Sequence, residues 1–110
     1  MQQIWKYLIP VKDEFSVDMP EGATILAVQM QRNEPHIWAL VYPANHSETR
    51  RFRVFGTGQP IDDHNLSYIG TFQILGGDLV FHLFEDYNDP PEMEAIFMEV
   101  PVHKLVGQEA

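Results

Sequence analysis

The residues best equipped for chemistry are three arginines within four positions, Arg50, Arg51 and Arg53, followed closely by the turn Gly56-Thr57-Gly58. Arg51 and Arg53 stand two apart on the alternating run RRFRVF, so on a strand both guanidinium heads emerge from one face. Two forks at that spacing suit a carboxylate or phosphate held between them. A glycine-rich turn adds backbone N–H groups that can line an anion-binding nest. Trp38, Tyr42 and Tyr68 would supply stacking faces. The set Arg51, Arg53, Gly56, Thr57, Gly58, Trp38, Tyr42 and Tyr68 therefore describes a pocket for an anionic small molecule such as a nucleotide signal. It is not a nucleotide-fold loop. Gln59-Pro60 stand where a Walker loop needs Lys-Ser/Thr, and no third glycine opens a helix. The plainer reading is a strand ending in a turn, whose arginines offset acidic residues elsewhere or guard an edge strand.

The opposite charge is gathered downstream. Residues 1–55 hold six basic and six acidic side chains, whereas residues 56–110 hold ten acidic ones against Lys104, which accounts for the net −9. With no basic stripe to displace counterions, direct nucleic-acid binding is not expected. The segment EDYNDPPEME concentrates this charge around Tyr87. It lacks the glycine of a calcium loop and has prolines where ligands would fall. Its expected use is as an acidic contact surface (Glu85, Asp86, Tyr87, Asp89, Glu92, Glu94) for the basic face of another protein.

Other chemistry finds less support. The five histidines, His36, His46, His64, His82 and His103, show no metal-binding spacing, and cysteine is absent. Asp62-Asp63-His64 has the composition of an exposed turn. No nucleophile has a visible base partner, so neither catalysis nor a cofactor is expected.

These residues must be positioned by strands, because apolar alternation runs through the chain and helical periodicity is nearly absent. QIWKYLIPV, EFSVDMP, ATILAVQMQR, HIWALVY, RRFRVF, LSYIGTFQIL, DLVFHLFE and AIFMEVPV read as strands. Asn33-Glu34-Pro35 is expected to turn one hairpin. Gly76-Gly77 is expected to turn another through a two-residue primed turn, pairing Ile74 with Leu79, Phe72 with Phe81 and Gly70 with Leu83, and on the other face Ile69 with Phe84. The expectation is all-β, an antiparallel sandwich or small barrel of seven to eight short strands. A single domain spans 1–110, with 102–110 a loosely ordered tail. The opening MQQIWKYLIPV has neither the charge nor the apolar length of a signal or membrane anchor, and a cytoplasmic protein is expected.

The ordered series IWKYLIPV, MPEGATILAVQMQ, IWALVYP, RFRVFGTGQPI, YIGTFQ and LVFHLFE, across residues 4–85, resembles a family of small phage and prophage proteins with no assigned activity. The resemblance implies a phage-encoded protein acting in the bacterial host cytoplasm. The function expected first is a non-enzymatic accessory that binds a host factor and counteracts antiviral defence. Next come sequestration of an anionic nucleotide, in a pocket formed between protomers of a homo-oligomer, and a particle-assembly accessory.

Overall fold

In the computed structural model, residues 1–90 are described. They form seven strands: β1 (Gln3–Leu8), β2 (Glu14–Pro20), β3 (Thr24–Gln31), β4 (Glu34–Val41), β5 (Ser47–Gly56), β6 (Leu66–Ile74) and β7 (Leu79–Asp86). Two antiparallel sheets result, one ordered β1-β4-β3 and the other β2-β5-β7-β6. No ladder among the described residues joins them, so the architecture is a sandwich and not a closed barrel. The expected final strand AIFMEVPV and the tail lie outside the described residues.

Alternation decides which residues enter the core. On β4, Ile37, Ala39 and Val41 are fully buried, while His36, Trp38 and Leu40 take the opposite face. Phe52 and Val54 of β5 meet them from the second sheet, joined by Met19, Phe72 and Leu83. Burying a large apolar side chain of this kind contributes about 1.5–3 kcal/mol. The sheets approach closest where β3 crosses β6. A Cβ placed on Gly70 would lie 2.7 Å from Val28 Cγ1, so only glycine fits there without displacement.

Three local expectations are corrected. The turn between β3 and β4 is Arg32-Asn33, both at positive φ, and Pro35 is already a buried residue of β4. Asparagine tolerates that conformation better than most residues, which locates the turn one position earlier than proline alone suggests. A bulge between Ile25 and Ala27 turns Leu26 outward and brings Ile25 toward the core, whereas the alternation of ATILAVQMQR is expected to place Leu26 on one face with Val28 and Met30. The β6–β7 hairpin keeps the expected register from Ile74↔Leu79 to Gly70↔Leu83, with Gly76 and Gly77 both at positive φ. Beyond Gly70 a second bulge at Ile69 pairs Tyr68, not Ile69, with Phe84.

Candidate functional site

The three arginines leave β5 on both faces of the four-stranded sheet and each meets a carboxylate. Arg50 projects to the sandwich side, beside Phe52 and Val54. Its Nε and Nη2 donate to the two oxygens of Glu85 on β7, the second at 3.0 Å, and Nη1 donates to the Ala23 carbonyl at 3.0 Å. Tyr87 Oη donates to the same carboxylate at 3.0 Å. Glu85 is 4% exposed, so this is a buried fork-to-fork pair at one end of the core. The hydrogen bonds that Arg50 donates to Glu85 stabilise its charged form and raise its pKa, against a smaller opposing effect of burial. Burial first, and then the bond to Glu85, also pushes the Tyr87 hydroxyl up. A shallow cavity of about 350 Å³ opens over the pair, lined also by Thr24, Ser67 and Tyr68.

On the outward face, Arg51 approaches Asp86 at 3.4 Å and donates to the Asn88 carbonyl at 2.7 Å. Asp86 in turn accepts from the Asn88 backbone N–H and side-chain amide, both at 2.8 Å, which closes an Asx turn after β7. Arg53 pairs with Asp63 and lies over the Phe55 ring, 4.9 Å from its centroid. The connection from Gly56 to Asn65 is thereby drawn back toward this face.

The expected anion pocket is therefore only partly assembled. Arg51, Arg53, Thr57 and Tyr68 are spread along the outward side of the four-stranded sheet, with Gly56 and Gly58 in the turn that ends β5, and both guanidinium groups already hold carboxylates. Trp38 lies on the outward face of the other sheet, where Lys6 covers it, and Tyr42 accepts a hydrogen bond from Gln2 at 2.7 Å. The expected acidic surface is likewise divided. Glu85 and Asp86 are buried in ion pairs, Tyr87 is exposed but tied to Glu85, and Asp89 is exposed. Glu92 and Glu94 lie outside the described residues.

Sequence reasoning missed Arg50 as the buried partner, because the carboxylate that meets it depends on the β5–β7 register. It also missed a chain of hydroxyls on the outward face. Tyr68 Oη meets Thr71 Oγ1 at 2.6 Å, Thr71 Oγ1 meets His82 Nδ1 at 2.9 Å, and His82 Nε2 meets Thr57 Oγ1 at 2.8 Å. The Thr71–His82 pairing was readable from the hairpin; the return of Thr57 onto it was not. The chain satisfies both imidazole nitrogens and fixes the ring, but it places no carboxylate behind His82 of the kind that stabilises an imidazolium in a catalytic triad. No cluster of three or more metal-ligating side chains occurs among the described residues. No helix among them is long and apolar enough to cross a membrane.

A family model described as a domain of unknown function (DUF7352) matches residues 1–94. No curated protein and no solved structure matches the chain.

Proposed function

The chain belongs to the DUF7352 family, whose description carries no activity, and we propose from its own surface that it is a non-enzymatic, phage-encoded accessory that binds a basic protein of the bacterial host. One observation carries this reading. Arg50, Arg51 and Arg53 are each held by a carboxylate of the same molecule, which removes the main concentration of positive charge from contact with a partner. The carboxylates left exposed include Asp13, Glu14, Asp18 and Glu21 along β2 and Asp89 beyond β7. Such a surface attracts a positively charged partner at long range and repels an anionic one. Interference with an antiviral defence protein is the role we assign to that binding, in the host cytoplasm.

The contact surface proposed from the loop is narrowed accordingly. Glu85 and Asp86 hold the fold, whereas Tyr87, Asp89, Glu92 and Glu94 remain its contact residues. A host protein captured from bacterial lysate should bind less tightly as salt rises, and the triple reversal Asp89→Lys, Glu92→Lys and Glu94→Lys should weaken binding at least tenfold with the melting temperature unchanged. Binding that ignores both salt and the reversal would overturn the proposal. Sequestration of an anionic nucleotide is less favoured, since Arg51 and Arg53 would have to release Asp86 and Asp63 first.

A further inference from the structure

We infer that β1 is the interface through which two copies of this chain join, extending the three-stranded sheet into a six-stranded one. β1 is an edge strand, hydrogen-bonded only to β4 among the described residues. It is also nearly bare: Ile4 is 61%, Trp5 36% and Leu8 59% exposed. Of the other three edge strands, β2 presents Glu14 and Asp18 to solvent and ends at Pro20, while β3 and β6 are each interrupted by a bulge. β1 has one charge, Lys6, and that ammonium is turned back over its own sheet, donating to Gln31 Oε1 at 2.7 Å above the Trp38 ring.

The backbone identifies the occupant as a strand. Ile9 donates its N–H to the Pro35 carbonyl at 3.1 Å, in continuation of the β1–β4 register. Antiparallel alternation then turns the odd-numbered residues of β1 toward β4 and leaves the N–H and C=O groups of Ile4, Lys6 and Leu8 on the free edge. Those groups require a second strand or water.

Charge and symmetry identify that strand as a second copy. A molecule of net charge −9 can meet itself only where the charge is absent. β1, β3 and β4 together carry one lysine and one glutamate, Lys6 and Glu34, so this sheet is the neutral part of the surface. Of the two-fold axes perpendicular to the sheet, those on Lys6 and on Trp5 pair the most residues of β1. With Lys6 on the axis, two ammonium groups would stand opposite each other, which is unfavourable. With Trp5 on the axis, Ile4 of each copy exchanges both backbone bonds with Lys6 of the other, and Leu8 stands opposite Gln2. Trp5 then meets its own counterpart as a close, non-hydrogen-bonded pair, and buried tryptophan is a common anchor of interfaces. The geometry selects this second register.

Sedimentation equilibrium of the full chain, from about 1 to about 100 µM, tests the inference. The expected mass is twice the 12.7 kDa of one chain. Trp5→Glu should weaken self-association about thirtyfold or more, and Lys6→Pro should abolish it by removing an outward N–H while leaving the bonds to β4 intact. Lys6→Gln should leave the dimer in place. Because the chain has no cysteine, Trp5→Cys gives a single thiol that should form an intermolecular disulfide under mild oxidation, while Leu26→Cys should not. This reports the register even if Trp5→Glu fails to fold. A single-chain mass at the highest concentration, a dimer unaffected by Trp5→Glu and Lys6→Pro, or equal cross-linking at both cysteine positions would overturn it.

Discussion

Glu85 occupies a position that sequence alone makes look like surface. It sits in the acidic run EDYNDPPEME, yet it is buried and fully engaged by Arg50 and Tyr87. Removing one partner of such a pair leaves the other charge uncompensated, which typically costs 3–5 kcal/mol, whereas an apolar pair of similar volume can be neutral. Glu85→Gln should therefore destabilise the protein by about 3 kcal/mol in urea unfolding, and the double variant Arg50→Met, Glu85→Leu should recover most of that loss. Tyr7 is the converse case, a buried hydroxyl with no hydrogen-bond partner. Tyr7→Phe removes an unsatisfied polar group and should be neutral or stabilising by up to about 1 kcal/mol. Burial also raises the Tyr7 pKa above 10.0, as it does for Tyr87. The folded protein thus holds these protons more tightly than the unfolded chain. That contribution is complete below pH 10 and is lost as pH rises through the folded-state values. The melting temperature should fall above that pH, and Tyr7→Phe combined with Tyr87→Phe should flatten the fall.

Strand against strand, the most constrained contact is Gly70 of β6 beneath Val28 of β3. Gly70→Ala would drive a methyl group into a branched side chain with little rotamer freedom, an overpacking cost of about 1–3 kcal/mol. Val28→Ala should also destabilise, but the double variant should lose less than the two single losses combined. A double-mutant cycle by urea unfolding measures that coupling. The sequence specified much at this scale. The division of β5 into Phe52 and Val54 against Arg51, Arg53 and Phe55 follows from period two, and the Gly76-Gly77 turn set the β6–β7 register over its first five pairs. What escaped was non-periodic. Bulges at Leu26 and Ile69 leave no fixed residue signature, and each reassigns the faces of its strand beyond the bulge. The candidate site suffered in the same way. The arginines were legible as a cluster, but their carboxylate partners depend on which strand lies beside β5, and the 24 residues between the paired Gly56 and Phe81 conceal that β7, not β6, is the neighbour.

Across the whole molecule, charge is separated by sheet as well as by sequence. The three-stranded sheet is neutral, while the four-stranded sheet and its connections carry arginines locked into ion pairs and carboxylates left facing water. Salt screens exposed charges over a Debye length of about 10 Å at 0.1 M but acts far less on buried pairs. The two proposed associations should therefore respond to salt in opposite ways. Binding of a basic host protein depends on the exposed carboxylates and should weaken as sodium chloride rises from about 0.05 to about 0.3 M. Pairing of two copies through β1 depends on backbone hydrogen bonds and Trp5, and it brings two anionic molecules together. Its dissociation constant should stay constant or decrease over the same range, as screening relieves the long-range repulsion between the acidic sheets. Measuring both equilibria on one preparation separates the surfaces. A self-association that weakens with salt in step with partner binding would mean that both use the acidic side of the molecule, and the neutral sheet would lose its assigned role.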